Sequence, residues 1–483
     1  MITTNPPTTP APAAQDPKIE RRVATSMVAL FVRQVLGYGM MFGGNVVLAR
    51  WLAPDVYGLF AAALAFQATL VVFSDVGLGP ALIQRVEEPT KQELAALFTL
   101  QLGLFSSVSA ITWMLAPFIV DWINLTSESV WVIRAIAVVF CVQSIRSIPA
   151  VMLERNLNFD AIAKAEVIGT MVYQIVLLTL VWQGFGLWSI IWGLAARYSI
   201  DLAVILRFYP WRPRLSRDVR AILPYVRFGL NMQGVRVMAY FKDQLPALLL
   251  IPLLGATSAG MWGWAMAYAA IPVYFNRLVD RVMFPAFSRV QHDQKKLGTL
   301  ATTAIWLDSA IGIPILCVLT LFGPYLVPLI YTTKWLEALP VVYVLAINMV
   351  GGFALGTFFA LLYATGRAHL GFRWFAAWVA INAVLAFIGG WLWQLTGVAI
   401  GFSLSTHIIC VLMWLHMRRL VPFRLKQIVF GPLLGGIVAL LVGTLALRAG
   451  WWWPVAAGTS LGAYTLTVLV LNARFLRNLI QQH

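Results

Sequence analysis

Long apolar stretches alternate with short polar punctuation along almost the whole chain. A window of about 19 residues, the length that crosses roughly 30 Å of hydrocarbon as a helix, picks out about fourteen such stretches. They cover residues 24–50, 57–83, 94–120, 129–152, 161–183, 186–207, 222–252, 257–287, 298–331, 338–365, 370–394, 397–418, 426–447 and 452–473. The pattern predicts an all-α polytopic membrane protein, in which the longer stretches tilt, bend or emerge into water. Residues 1–22 are rich in Pro, Thr and Ala and lack the apolar core of a signal peptide, so they read as a disordered cytosolic tail.

Composition agrees with a lipid-facing chain. Of the 483 residues 60% are hydrophobic and 11% charged, with a mean hydropathy of +0.80. Such a chain has more apolar surface than one aqueous core can bury, which excludes an ordinary soluble enzyme. The 35 Lys and Arg exceed the 19 Asp and Glu, giving a net charge of +16. With the N-terminus inside, 25 of these cations fall in cytoplasmic segments and only Arg50, Lys334 and Arg448 fall outside. Because Lys and Arg accumulate on the cytoplasmic side, that asymmetry places both termini in the cytoplasm. It also accounts for the basic excess as a topology signal, which removes the case for nucleic acid as a partner.

Chemistry-bearing motifs are absent from the sequence. Cys141, Cys317 and Cys410 are far apart inside apolar runs, and the five histidines show no metal-ligand spacing. No phosphate-binding loop, dinucleotide fingerprint or nucleophile elbow occurs, so no catalytic residue, metal or cofactor is expected.

Seven cations remain within the apolar stretches: Arg33, Arg134, Arg146, Arg197, Arg227, Arg236 and Lys242. A cation at that depth costs a few kcal/mol or more unless it snorkels, pairs or faces water. Arg146 and Arg227 lie near cytoplasmic helix ends, within snorkelling reach, and Arg134 lies near the outer interface. Arg197 and Asp201 are one helical turn apart and suited to neutralise each other. Arg33 and Arg236 sit near the membrane middle. Gln233, Arg236, Tyr240 and Asp243 follow at intervals of three, four and three, which lines one helix face with polar groups. Gln34, Tyr38 and Asn45 form a similar stripe beside Arg33. In lipid, both stripes must turn toward a shared cavity or toward another helix, where the uncharged members would act as polar glue.

A weak internal repeat fits a duplicated architecture. At a constant offset of 202, Leu52, Gly58, Ala63 and Ala65 match Leu254, Gly260, Ala265 and Ala267. The repeat predicts two pseudo-symmetric six-helix lobes at 23–207 and 222–420, joined by a basic cytoplasmic linker at 208–221. Two additional helices and a tail fill 421–483. In transporters built this way the substrate site lies between the lobes. The GxxxG pairs Gly39 and Gly43, Gly352 and Gly356, and Gly431 and Gly435 read as close-packing sites.

Several segments carry a family resemblance: LARWLAPDVYGLFAAALAF at 48–66, DVGLGPALIQR at 75–85, ERNLNFD at 154–160 and RVMFPAFSRVQHD at 281–293. In this order and topology the chain resembles the Wzx-type polysaccharide flippases of the multidrug/oligosaccharidyl-lipid/polysaccharide (MOP) exporter superfamily. Many Wzx proteins have twelve spans, two fewer than the pattern gives here. The resemblance implies a flippase of the bacterial cytoplasmic membrane that moves undecaprenyl-diphosphate-linked oligosaccharide repeats to the outer leaflet for exopolysaccharide or O-antigen synthesis; the sequence leaves the oligomeric state open, with a monomer as the expectation. The resemblance also implies membrane lipid, a polysaccharide polymerase and export machinery as partners. On that reading Arg33 and Arg236 bind the diphosphate, helped by Arg146, Arg197 and Arg227, because an Arg fork meets phosphate with charge-assisted hydrogen bonds. Gln34, Tyr38, Asn45, Gln233 and Tyr240 would contact sugar, and Asp201 and Asp243 are candidates for ion or proton coupling or for pairing with nearby Arg. A lipid II flippase and a drug or cation antiporter of the same superfamily are the alternatives. The antiporter needs uncompensated intramembrane carboxylates, and a membrane enzyme needs longer loops than this chain has.

Overall fold

A computed structural model describes residues 37–473 apart from 75–76, 78, 80–81, 84–86, 123–127 and 424, and omits some side chains within helices. Arg33 and Gln34 thus lie outside the described residues, as does the side chain of Arg227. Among the described residues all regular structure is helical. The chain runs through α1 (37–51), α2 (Pro54–Ser74), α3 (Lys91–Trp122), α4 (Glu128–Phe140), α5 (Val142–Arg155), α6 (Phe159–Trp182) and α7 (Trp188–Phe208). It continues as α8 (Val219–Ala269), α9 (Ile271–Arg289), α10 (Gln294–Leu321), α11 (Gly323–Ile330) and a 3-10 turn (Thr333–Ala338). Then follow α12 (Leu339–Ala364), α13 (Ala368–Met417), α14 (Leu425–Arg448) and α15 (Trp453–Leu471).

Ten helical segments among the described residues are long and apolar enough to cross a membrane, α4 and α5 together forming one of them. Large apolar side chains such as Met114, Phe118 and Trp391 stand exposed on them, as a surface solvated by lipid requires. Two helical stretches are too long for one crossing: α8 has 51 residues and α13 has 50, and each is two helices joined at an internal break. Gly255 takes φ 81° and ψ 174°, inside the 252–257 gap in the apolar pattern, at a conformation open to a residue without a Cβ. The chain in α13 reverses at Trp393 and Gln394, and Gly397 there packs so closely that a Cβ would lie 1.8 Å from the Gly389 carbonyl oxygen.

The apolar stretch 298–331 departs from the sequence expectation of one span. α10 ends at Leu321, and Gly323-Pro324 restarts the chain as the short α11. Proline lacks the amide hydrogen that a continuing helix needs but suits a first turn. The glycine pairs also divide. Gly431 and Gly435 press on Asn472, Val468 and Tyr464 of the last helix and its cap, whereas Gly39, Gly43 and Gly352 meet nothing within 4 Å.

Sequence neighbours pair as antiparallel helices, α6 with α7, α12 with α13 and α14 with α15, and α14 also rests on α10. The main junction between the first and second halves is α2 against α8. At Gly58 a Cβ would lie 2.1 Å from the Ala256 carbonyl oxygen, and at Gly260 it would lie 1.9 Å from that of Pro54. Positions 54 and 256, like 58 and 260, are one repeat offset apart, so this crossing is its own image under the internal repeat. The largest core cluster continues from it through Tyr57, Trp264, Tyr268, Tyr331 and Trp335.

Candidate functional site

The deepest charges of the first half converge on α5, α6 and α7. Asp201 of α7 is 3% exposed, and its Oδ2 lies 3.9 Å from Nε of Arg146 and 3.9 Å from Nε of Arg197. Arg197 precedes Asp201 by one helical turn, the pairing the sequence anticipates, while Arg146 arrives from α5. The carboxylate rests against the α6 backbone at Gly169, where a Cβ would come within 1.8 Å of Oδ1. Beside it Arg197, Glu166, Thr170, Gly37, Tyr38, Met41 and Val167 line a cavity of about 160 Å³. The cluster thus holds two guanidinium groups and two carboxylates between helices long and apolar enough to cross a membrane.

Tyr38 of α1 carries this site to the second half. Its hydroxyl accepts a 2.6 Å hydrogen bond from Nη1 of Arg277, whose guanidinium lies 5.7 Å from the ring centroid. Tyr274 packs on the same ring at 4.5 Å. Asn45, two turns along α1, donates a 2.8 Å hydrogen bond to the Tyr57 hydroxyl.

The polar stripe of α8 meets α2. The Gln233 amide donates to the Val72 carbonyl, and the Tyr240 hydroxyl donates to the Ala65 carbonyl at 2.7 Å while also bonding the Thr69 hydroxyl. Asp243 pairs with Lys242, whose ammonium lies 4.4 Å from the Trp378 ring centroid. Asp243, Gln244 and Thr69 supply polar atoms to a second, mostly apolar cavity of about 300 Å³, which Phe66, Trp122 and Trp262 help to line. Arg236 is exposed on the same helix, and Arg227 shares its backbone. Tyr38 and Arg197 therefore come together, as do Arg146, Arg197 and Asp201, whereas the α8 stripe is engaged one junction away.

Sequence reasoning passed over Glu166 and Arg277. Glu166, Thr170 and Tyr173 repeat at intervals of four and three on α6, the same spacing that marked α8. Arg277 was hidden by Arg281 and Arg289, which made its segment look like a cytoplasmic positive cluster.

The end of the molecule carrying the α1–α2 connection is sealed. Trp335 is fully buried, stacked at 5.1 Å on Trp264 and edge-on at 5.1 Å to Tyr57. Its Nε1 donates to the Ala49 carbonyl at 2.8 Å. Lys334 Nζ donates to the carbonyls of Arg50 and Leu52, at 2.9 and 2.7 Å. In return Arg50 donates to Leu329 and Ile330, at 3.4 and 3.1 Å. Helix C-termini leave carbonyls without intrahelical partners and carry partial negative charge. Here each half caps a helix end of the other with a cation.

Comparison with known proteins places this arrangement. The lipopolysaccharide biosynthesis protein WzxC of Escherichia coli (strain K12) is 27% identical, over 79% of this chain and 78% of that one. The succinoglycan biosynthesis transport protein ExoT of Rhizobium meliloti (strain 1021) is 25% identical, over 96% of each chain. Among solved structures, the lipid II flippase MurJ in an inward closed conformation shares the fold with a TM-score of 0.72 at 14% identity, over 95% of this chain and 100% of that one. An inward-facing MATE family multidrug resistance transporter of the MOP superfamily gives 0.63 at 14% identity, over 82% and 97%. The polysaccharide biosynthesis protein family model matches residues 47–340, more than half of the sequence, and the chain accordingly belongs to that family as a multi-pass membrane protein.

Proposed function

We propose that this protein flips undecaprenyl-diphosphate-linked oligosaccharide repeat units from the cytoplasmic to the outer leaflet of the bacterial cytoplasmic membrane. The observation that carries the reading is the convergence of Arg146 and Arg197 on Asp201 beside a cavity whose wall, Tyr38, is held by Arg277 of the opposite half. Guanidinium groups match diphosphate oxygens in charge and in hydrogen-bond direction. The relatives are named for lipopolysaccharide biosynthesis and succinoglycan transport, which supports a polysaccharide precursor as cargo. Arg33, Arg227 and Arg236 are assigned in this reading as further ligands for the diphosphate, and Gln34, Tyr38, Asn45, Gln233 and Tyr240 as groups for sugar. Asp243 remains a candidate for ion coupling.

In this reading the chain has fourteen spans. The ten apolar segments include α13 once; dividing it at Gln394 and adding α1, the long first part of α8, and the remainder of α8 with α9 gives that number. Residues 23–207 and 222–420 form two six-helix lobes on either side of the 208–221 linker, 421–483 adds two helices, and both termini are cytoplasmic. The reciprocal caps then lie on the outer side. The protein works as a monomeric transporter, not an enzyme, and hands its cargo to a polysaccharide polymerase and export machinery. Rocking about the α2–α8 crossing exposes the site to each side in turn.

Deletion of the gene tests the function. Loss of surface polymer, with lipid-linked repeats retained on the cytoplasmic face, is the expected result; unchanged polymer refutes the flippase. Complementation with Arg236→Ala is expected to fail while the protein still inserts, and normal polymer from that variant removes Arg236 from the site.

A further inference from the structure

We infer that Asp201 is a resident anion that occupies the place of a ligand phosphate between Arg146 and Arg197 and sets how tightly that phosphate is held. The inference rests on the diphosphate reading above and adds a role for the carboxylate within it.

The geometry is that of an ion pair without its hydrogen bonds. Charge-assisted N–H···O contacts normally close to about 2.7–2.9 Å. Both Nε atoms here stop at 3.9 Å from Oδ2. Neither Nε, nor Oδ1 of Asp201, has a hydrogen-bond partner among the described residues, although all three atoms are buried. The carboxylate is also wedged, because Oδ1 sits where any side chain at position 169 would be. Two Nε–H donors are therefore charge-paired but unsatisfied, next to a cavity that presents Arg197, Glu166, Thr170 and Tyr38.

A phosphate group differs from this carboxylate in what it offers. Its oxygens point in several directions, so it can meet both donors at hydrogen-bond distance while the cavity holds the rest of the ligand. Asp201 then does two things. In the empty protein it offsets the charge of two half-buried cations, which is costly when left uncompensated. In the loaded protein it lies beside the phosphate and repels it, which weakens binding enough for release. A transporter gains from that moderation, since a site that binds its cargo too tightly cannot turn over.

The test uses the full chain in lipid nanodiscs with undecaprenyl diphosphate as the probe. Asp201→Asn keeps the side chain's size and its contact with Gly169 but removes the charge. The ligand-free variant is expected to melt lower than the parent. Its Kd for the probe is expected to fall by about tenfold, with a correspondingly larger ligand-induced rise in melting temperature and slower flipping. Gly169→Ala perturbs the same carboxylate without altering charge; its methyl must push Oδ1 away, and Kd is expected to fall in the same direction. An unchanged or raised Kd in Asp201→Asn, or in Gly169→Ala where Asp201→Asn does not fold, overturns the inference. The double variant Arg146→Gln/Arg197→Gln separates the two readings. If it binds the probe as the parent does, or if the parent does not bind, the diphosphate reading itself fails. If it loses binding while Asp201→Asn gains none, only the resident anion fails.

Discussion

Trp335→Ala should open the seal at the α1–α2 end of the molecule, which the proposed topology places outside. The indole is fully buried, and a tryptophan in that state removes roughly 150–250 Å² from solvent, about 4–6 kcal/mol at 25 cal/mol per Å². Its hydrogen bond to the Ala49 carbonyl adds about 1 kcal/mol net. Truncation of a core Trp costs about 3–5 kcal/mol in practice, because neighbours relax into part of the space. This packing is made between residues 49–57 of the first half and 264–335 of the second, so the loss falls on the closed arrangement. A bias of 3–5 kcal/mol shifts a two-state ratio on the order of 10²- to 10³-fold toward the open state. Trp335→Phe keeps a ring for Trp264 and Tyr57 but orphans the Ala49 oxygen, so it should have a smaller effect, about 1–3 kcal/mol. The readout is an Ala338→Cys reporter in intact cells, Ala338 being fully buried in the same cluster. A membrane-impermeant maleimide applied from outside should label it slowly in the parent, faster with Trp335→Phe and fastest with Trp335→Ala. The background comes from protein carrying only Cys141, Cys317 and Cys410. Equal labelling in all three backgrounds refutes the seal.

Arg197→Ala should lower polymer export by more than about tenfold, since it removes a half-buried guanidinium from the cavity wall of the proposed site. Arg134→Gln should stay within about twofold, because Arg134 is stacked between Trp113 and Trp131 at 5.1 Å from each ring, away from that site; a reversed order in a complementation assay argues against the assigned location. Gly58→Ala places a methyl on the Ala256 carbonyl and should cost about 1–3 kcal/mol of stability, whereas Gly352→Ala meets open space and should be neutral or slightly stabilising in a thermal melt. Asp293 caps α10, accepting the amides of Lys295 and Lys296 at 3.1 Å each, and these bonds, with the Lys296 charge, hold its carboxyl below the usual range. A folded-state pKa below the unfolded one stabilises above the unfolded value, about 3.9, and the contribution disappears as pH falls through the folded value. The stability difference between parent and Asp293→Ala should therefore be constant near neutrality and shrink below about pH 4; a constant difference down to the lowest pH measured would sink the assignment.

Hydropathy periodicity reveals much of this fold because lipid imposes one rule on every span: all backbone groups must be satisfied within the helix. The pattern consequently locates even the breaks in the two longest helical stretches, at Gly255 and near Gln394. It misreads 298–331 because two weakly polar residues, Gly323 and Pro324, are averaged out over a window of about 19 residues, and only their backbone properties divide α10 from α11. Motif reading also gains a physical meaning. Arg155 in the 154–160 segment donates to the Leu82 carbonyl and, at 2.8 Å, to the Glu87 carbonyl; Asn158 caps α6, and Leu157 takes a φ of 57° between them. That segment clamps the α2–α3 connection to the α5–α6 turn. The charged site was half legible for a related reason. Arg197 and Asp201 declare themselves by spacing within one helix, while Arg146 and Arg277 are drawn in by tertiary packing.

The seal at the α1–α2 end shows why charge counting and contact reading must be done together. Arg50 and Lys334 enter the sequence argument only as exceptions to an inside bias, and each looks like a lone cation in a short loop. Their partners are helix ends, and the bonds from Arg50 and Lys334 reach residues 279 to 284 positions away. Nothing in local spacing announces such a pair, because carbonyl groups are present at every position of every sequence. A cation that defies the topology bias nevertheless raises the same question as one inside the membrane, namely which contact justifies its place. Two of the three outside cations answer it by capping the opposite half. Water can take over those carbonyls once the halves part, so the caps give the closed state a defined register at little cost to opening. The energetic resistance is left to the buried aromatic cluster around Trp335.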